Sequence, residues 1–269
     1  VYSVIGLLTD NESEHNSLMS SVEGFFMFGI ALAYFLFPAF NSAQNVDAWL
    51  NVYWLLAGLS MVSLVFLYFS KFDEGDAVPG ANMLDDFKEM LQLMIRLLVL
   101  VFVISAFLFV MVEQGIMTWL PTFNNEVLSL SENIAIMMSS ILAISLGVGR
   151  LIAGILARRF HWVWILSVCI IMAMLIVILV LPKAVSSELS PIERFVDIPL
   201  IGFVFPLVGL FIAPIYPLLN SVVLSALPQR LHSPMSGLII IFSAIGGTLG
   251  SRLIGYLFKH VGGASAFYY

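Results

Sequence analysis

Apolar residues form seven long runs along the chain, and polar residues are concentrated in the stretches between them. Each run is long enough for a helix to cross a hydrocarbon core, which takes about 20 residues. Backbone N–H and C=O groups in lipid must be paired within the protein, so such runs predict helices. The sequence therefore predicts an all-α, polytopic membrane helix bundle with spans at Leu18–Phe40, Leu50–Ser70, Leu97–Leu120, Ile134–Leu156, Trp162–Leu181, Ile198–Leu224 and Met235–Phe258.

Composition supports a membrane protein. Of the 269 residues, 61% are hydrophobic and 10% are charged, whereas a soluble domain carries about 25% charged residues. A soluble fold with so few charges could not cover its own surface. The net charge of −6 is spread over short loops without a basic patch, so no nucleic-acid partner is expected.

The longest connection, 71–96, contains a linker and a predicted surface helix. Residues 73–80 are acidic and rich in turn formers. The following residues place an apolar stripe at helical spacing, which predicts an amphipathic helix at the membrane surface or against the bundle; the stripe is Leu84, Phe87, Leu91, Met94 and Ile95. We expect 1–70 to end one bundle, 71–96 to be the linker, and 97–269 to form a second, truncated bundle.

Basic residues in the connections predict the orientation of the chain. Loops on one face hold six Lys and Arg residues and loops on the other hold three, which places the long linker in the cytoplasm. The first group is Lys71, Lys88, Arg96, Arg158, Arg159 and Arg230, and the second is Lys183, Arg194 and Lys259.

Two polar residues, Glu113 and Gln114, lie within the third run, about 10 Å from its outer end at 1.5 Å per residue. A carboxylate facing lipid costs at least about 3 kcal/mol, so Glu113 is expected to face a cavity or a partner. It is either a substrate contact or proton-titrating group, or a carboxylate near the interface that hydrogen-bonds to a neighbouring helix.

The sixth run contains Pro206, Pro214 and Pro217. A proline lacks an N–H and bends a helix, and broken helices of transporters tend to border the substrate site. Tyr216 and Asn220, one turn apart on this stretch, are therefore candidate ligand contacts; the alternative is that the prolines only shape packing.

Small residues in the last run, at Gly246, Gly250, Ser251 and Gly255, predict close helix packing. The four histidines have no partner at metal-ligand spacing, and the sequence shows no catalytic constellation or nucleotide-binding domain. We therefore expect neither an enzyme nor a metal or cofactor, and transport would draw its energy from a gradient.

One segment resembles a family signature. Residues 149–161 read GRLIAGILARRFH, similar to the cytoplasmic loop pattern G-R-L-x-x-G-x-L-x-D-R-x-G-R of the major facilitator superfamily, although its acidic residue and second glycine have no counterpart here. Two further stretches, 16–29 and 112–121, look like the sugar and fucose permease branch. On this mapping the spans are helices five to eleven of twelve, with stubs of the fourth and twelfth at 1–8 and 263–269, and the chain is expected to be a fragment.

The resemblance implies a mechanism. In this fold two bundles rock about a central site, and the seventh and tenth helices line the cavity, which makes Glu113, Gln114, Tyr216 and Asn220 cavity candidates. It implies a plasma-membrane transporter of a small polar solute such as a sugar, driven by protons or another coupling ion and monomeric when complete. The proton-coupling acids lie on the first and fourth helices of fucose permease-like proteins, so the coupling residue is not assigned.

The resemblance also predicts an ion pair. Glu23 and Arg150 lie about 7.5 and 9 Å inside the cytoplasmic ends of their runs, and the fifth and eighth helices of the superfamily pack across the bundle interface. A Glu23–Arg150 pair would hold the cytoplasmic side closed, with the signature residues Gly149, Gly154, Arg158 and Arg159 at the same interface. The alternative is that both side chains extend to the head groups.

Three other functions are alternatives for a chain of this kind. Seven spans also fit a seven-helix receptor, but the single cysteine, Cys169, lies within a run and cannot pin outer loops. A membrane-embedded enzyme would need clustered acids or histidines. An exporter of drugs or metabolites shares the fold and is the main alternative to sugar import.

Overall fold

The structure is a computed structural model that describes residues 12–40, 47–69, 83–184, 192, 194–228 and 231–268. The linker at 73–80, Lys71, Arg230 and the expected helix stub at 1–8 lie outside these residues. Seven helical segments are long and apolar enough to cross a membrane by length and composition, and no strand is present in the described part of the chain. The predicted all-α membrane bundle is confirmed.

Eleven α-helices and several short 3-10 turns make up the described chain. They are α1 Glu12–Leu36, α2 Asn51–Phe69, α3 Met83–Leu93, α4 Leu97–Glu126, α5 Glu132–Leu156, α6 Trp162–Val180, α7 Leu200–Val204, α8 Val208–Ile212, α9 Ile215–Ser225, α10 His232–Val261 and α11 Gly263–Ala266. Helices α7, α8 and α9 together form the sixth span, Leu200–Ser225.

Helix α4 is longer than predicted. The apolar run predicts a span that ends at Leu120, but the helix continues through Pro121 to Glu126. Pro121 cannot donate to the carbonyl of Met117 four residues earlier, and the Tyr34 hydroxyl of α1 donates to that carbonyl instead, at 3.1 Å. The extension leaves 13 residues after Glu113, about 20 Å at 1.5 Å per residue, so Glu113 lies near the middle of the helix and not about 10 Å from its end.

The sixth span is interrupted at two of its three prolines. Pro206 lies in the 3-10 turn Phe205–Leu207, and Pro214 lies between α8 and α9. Pro217 falls in the first turn of α9, where the backbone N–H groups have no partner within the helix, so it interrupts nothing. The carbonyl of Leu210, which Pro214 leaves without its helical donor, is directed at Gly149 of α5, and a Cβ on Gly149 would lie 2.5 Å from that oxygen.

The predicted surface helix is present as α3 but buries a different face. Met90 and Leu93 are buried against α10, while Phe87 and Leu91 of the predicted stripe are exposed. The reason is local, because Gly237 of α10 leaves room for the Met90 sulfur, which lies 3.1 Å from where a Gly237 Cβ would be. Of the two predicted positions, at the membrane surface or against the bundle, α3 takes the second, because it packs on α10.

Glycines bring α4 and α10 into backbone contact. A Cβ on Gly246 would overlap the carbonyl of Phe107, one on Gly250 would overlap that of Met111, and one on Gly255 would overlap the Trp119 ring. The close packing predicted from these spacings is confirmed.

Helices α1 and α5 also pack closely, and α2 does not. A Cβ on Gly24 would lie 3.2 Å from the carbonyl of Gly147, and one on Gly147 would lie 3.1 Å from that of Gly24. Helix α2 follows α1 in the chain, and none of its residues is buried. The core of the described chain therefore lies between α1, α4, α5, α10 and the sixth span.

Candidate functional site

Three charged side chains meet inside the bundle. The Arg150 guanidinium of α5 donates to Oε1 of Glu113 on α4 at 2.7 Å and lies 3.3 Å from Oε2 of Glu23 on α1. It also donates to the backbone carbonyl of Glu23 at 3.4 Å. All three residues are buried, with 3 to 6% of their surface exposed. We call Glu23, Glu113 and Arg150 the ion cluster.

The helix geometry explains why Glu23 and Arg150 meet. Glu23 lies six residues after Ser17, the first residue of its span, and Arg150 lies six residues before Leu156, the last residue of its own. Each residue therefore lies about 9 Å from the end of its span, at 1.5 Å per residue, and these two ends are adjacent because Arg158, just after α5, donates to Ser17 of α1. The close approach of Gly24 and Gly147 lets the two side chains reach each other without crossing a wide gap.

Helix α4 supplies the third charge. Glu113 makes the shortest contact of the cluster, and Arg150 is the partner of its carboxylate. The sequence predicts that Glu113 faces a cavity or a partner, including a hydrogen bond to a neighbouring helix, without identifying that partner, and it predicts Arg150 as the partner of Glu23. The signal for a three-residue cluster was absent, because nothing in the sequence states which spans are neighbours.

The other cavity candidates are distributed around the ion cluster. The Tyr216 hydroxyl lies 3.3 Å from that of Ser243 on α10, its ring stacks on Phe109 at 5.8 Å between centroids, and it lies within electrostatic range of both carboxylates. The buried amide of Asn220 is next to Tyr216.

Gln114 and Gly149 each pack against a neighbouring helical segment. The Gln114 side chain lies against α10, with its Cγ 3.1 Å from where a Cβ on Gly247 would be. Gly149 packs on the sixth span at Leu210 and Ala213. Neither residue contacts the ion cluster through a hydrogen bond or ion pair in the described part of the chain.

The end of the α1–α5 contact near Ser17 includes two further signature residues. A Cβ on Gly154 would lie 3.2 Å from the Ser20 Cβ, and Arg158 donates to the Ser17 hydroxyl at 2.8 Å. The side chain of Arg159 is exposed. Sequence reasoning missed Ser17 and Ser20, although both lie on the α1 face that carries Glu23 and Gly24.

Comparison with protein-family models matches this chain over residues 1–268 to the model described as Major Facilitator Superfamily. The chain belongs to this superfamily. Comparison with curated proteins gives no match. Membership identifies the chain as a secondary transporter and a multi-pass membrane protein, and the family is one of transporters and not of enzymes.

The ion cluster joins three helices of this facilitator. Two buried charges are held only when their attraction and hydrogen bonds offset the loss of hydration. The planar guanidinium, with five N–H donors, can serve two carboxylates at once. A cluster shared between three helices therefore favours the arrangement in which all three are together.

Proposed function

We propose that this facilitator is a proton-coupled symporter of the plasma membrane that carries a small polar solute, most simply a sugar, by alternating access. The observation that carries the proposal is the ion cluster. Arg150 joins α1 to α5 and α4 at a depth where the resemblance to the superfamily puts the contact between the two bundles. An ion pair that exists in only one conformation stabilises that conformation relative to the other.

The two contacts of Arg150 have different roles in this proposal. On the superfamily mapping, α4 and α5 belong to one bundle and α1 to the other. The Arg150–Glu113 contact then stays within a bundle, while Arg150–Glu23 crosses between bundles and breaks when the cytoplasmic side opens. Glu113 keeps the arginine paired in both conformations, so opening does not leave a buried unpaired cation.

Neighbouring contacts support a closed cytoplasmic side in this structure. The Gly154–Ser20 and Arg158–Ser17 contacts continue the α1–α5 seam to its cytoplasmic end. The hydroxyls of Ser20 and Ser221 are buried without a hydrogen-bond partner in the described chain. Opening this side would hydrate them, which removes the cost of an unsatisfied buried group.

The side chains around the cluster suit a hydroxylated solute. Tyr216, Ser243 and Asn220 offer hydroxyl and amide groups that can both donate and accept, and the Phe109 ring stacked on Tyr216 adds an apolar face. Pro214, which interrupts the sixth span just before Tyr216, separates α8 from α9 and lets the Tyr216 segment tilt independently.

Coupling to protons follows from the ratio of charges. The cluster contains two carboxylates and one guanidinium, so one carboxylate can take up a proton while the other remains paired with Arg150. We propose Glu23 for this role. Its protonation removes the charge that pairs with Arg150, so the bundles can separate without carrying a buried unpaired carboxylate through the change, and the proton is released when the opened side hydrates Glu23.

The gate is tested by exchanging charges. Glu113→Gln removes the third charge and should lower uptake, because Arg150 then has no partner when the bundles separate. In this background, Glu23→Arg and Arg150→Glu should each abolish the remaining uptake, and the two together should restore it to the level of Glu113→Gln alone. Lys183 lies just after the last residue of α6, at the end of that helix far from its junction with α5. Lys183→Glu is the matched control for a charge reversal and should retain uptake. Absence of rescue in the double reversal, with all variants folded, would exclude the gate.

The transported solute is tested in proteoliposomes of the complete protein. Uptake of labelled hexoses and deoxyhexoses is measured with and without an inward proton gradient. The proposal expects accumulation with the gradient and only equilibration without it. Extrusion of an apolar dye in place of sugar uptake would identify an exporter, and gradient-independent accumulation would exclude proton coupling.

A further inference from the structure

A cavity lies away from the ion cluster, on the outer surface of the bundle between α5, α6 and α8. Its volume is about 400 Å³, within the usual size range of small-molecule sites. It is lined by the last two turns of α5, the first two turns of α6 and the interrupted part of the sixth span. The orientation predicted from basic residues places it in the cytoplasmic half of the membrane.

The wall of this cavity is almost entirely apolar. Its lining includes Ile152, Leu156, Val168 and Phe211, and among the residues that the structure describes no charged side chain contributes to it. A hydroxylated solute would lose its hydrogen bonds with water here and gain none, which costs several kcal/mol per polar group. The site therefore suits an apolar ligand and is unsuited to the solute proposed for the central site.

The cavity opens toward lipid. Val168 and Trp164 border it and are 54 and 72% exposed, while Ala153 and Cys169 at its base are buried. In a membrane-spanning chain these exposed side chains meet the acyl region of the bilayer. Lipid chains are thus the ligand that reaches the opening at the highest concentration.

Basic residues lie at the cytoplasmic end of the cavity. The turn that joins α5 to α6 contains Arg158, Arg159 and His161 and no acidic residue, and Phe160 of the same turn lines the cavity. Arg158 is directed to Ser17, whereas the exposed Arg159 is available to a head group. Basic sites between membrane helices on the cytoplasmic side bind anionic lipid head groups.

We propose that this cavity binds one anionic phospholipid of the cytoplasmic leaflet, with an acyl chain between α5, α6 and α8 and the phosphate on Arg159. The base of the site includes Leu210, Phe211 and Pro214, where the sixth span is interrupted. The bound chain therefore packs against the break in the span as well as against α5 and α6. The inference is independent of the identity of the transported solute.

The test measures lipid retained by the complete protein. Purified protein is incorporated into nanodiscs of phosphatidylglycerol or phosphatidylcholine and extracted in detergent. Native mass spectrometry then measures the lipid that remains bound to the protein. Val168→Trp should fill the cavity and abolish the retained lipid. Ile171→Trp is the matched control, because Ile171 is also on α6 and 57% exposed but does not line the cavity; it should retain lipid as the unaltered protein does.

A second variant tests the head group. Arg159→Gln should keep the acyl chain but reduce the preference for phosphatidylglycerol over phosphatidylcholine by about five-fold, the effect of one basic residue near a membrane surface. Equal lipid retention by Val168→Trp and Ile171→Trp would overturn the site. Equal retention of the two lipids by the unaltered protein would overturn the assignment of an anionic ligand. Size-exclusion profiles establish that each variant is folded.

Discussion

Pro121 lies inside α4 without breaking it, because a side chain from another helix takes over the hydrogen bond that proline cannot make. The Tyr34 hydroxyl donates to the Met117 carbonyl at 3.1 Å, the position that the N–H of residue 121 would otherwise occupy. The bond also joins α1 to α4. A single tyrosine thus has both a local role, in α4, and a tertiary one.

This explanation predicts a double-mutant cycle. Tyr34→Phe should destabilise the protein by about 1–3 kcal/mol, because it leaves a partly buried carbonyl without a donor. In a Pro121→Ala background the new N–H of residue 121 can bond to Met117, so the same Tyr34→Phe change should cost much less. Thermal unfolding in detergent measures the difference. Equal costs in the two backgrounds would contradict the explanation.

The ion cluster makes a second prediction at the same scale. Arg150→Gln should destabilise the protein by about 3–5 kcal/mol, because two buried carboxylates lose their counter-charge. Changing Glu23 and Glu113 to Gln in addition should recover most of that stability, since the neutral trio has no unpaired charge. Unfolding temperatures of the single and triple variants measure this. A triple variant no more stable than Arg150→Gln would show that the charges are not what the cluster balances.

At the scale of helices, the α4–α10 contact depends on glycine. Gly250→Ala should cost about 1–3 kcal/mol, because its Cβ would overlap the Met111 carbonyl and force the helices apart. Gly58→Ala on α2 is the control, since nothing lies within 4 Å of a Cβ there. It should be neutral or stabilising by up to about 1 kcal/mol, the ordinary gain of alanine over glycine in a helix.

The α1–α5 contact can be locked. A Cβ on Gly154 would lie 3.2 Å from the Ser20 Cβ, close to the separation of about 3.8 Å that a disulfide requires. In a Cys169→Ala background, Ser20→Cys with Gly154→Cys should form a disulfide on mild oxidation and stop uptake in proteoliposomes, and reduction should restore it. Peptide mass spectrometry measures the cross-link.

The control for the lock is Phe25→Cys with Ile155→Cys on the same two helices. These residues are 70 and 66% exposed and should remain unlinked. Full uptake by a completely cross-linked Ser20–Gly154 pair would mean that α1 and α5 stay together throughout the transport cycle.

At the scale of the molecule, apolar periodicity was enough to predict the spans and the helical class. Seven runs became seven membrane-length segments, because lipid leaves a long apolar backbone few alternatives to a helix. The spacing of Gly246, Gly250 and Gly255 similarly predicted a close helix contact. These features depend on composition along one segment, which a sequence states directly.

Features that depend on neighbouring helices were predicted less well. The predicted end of α4 was wrong, because the hydroxyl that replaces the missing N–H of Pro121 belongs to Tyr34 on α1. The predicted buried face of α3 was wrong, because the space for Met90 is provided by Gly237 on α10. The third member of the ion cluster was missed for the same reason. Similar depths, together with the resemblance to a superfamily in which the fifth and eighth helices pack together, predicted that Glu23 and Arg150 meet, but neither indicates that Glu113 of α4 lies beside them. The roles of these residues in transport stay predictions.

The α1–α5 seam is formed by residues with little or no side chain, notably Gly24, Gly147, Gly154 and Ser20. Two large side chains nevertheless pack on these glycines: Leu151 of α5 lies 3.1 Å from where a Cβ on Gly24 would be, and the Phe28 ring of α1 lies 3.3 Å from where a Cβ on Gly147 would be. Parting the two helices would therefore withdraw one large side chain from each, in addition to exchanging the partners of Arg150. The two glycines thus determine how much apolar surface a separation of α1 from α5 would expose.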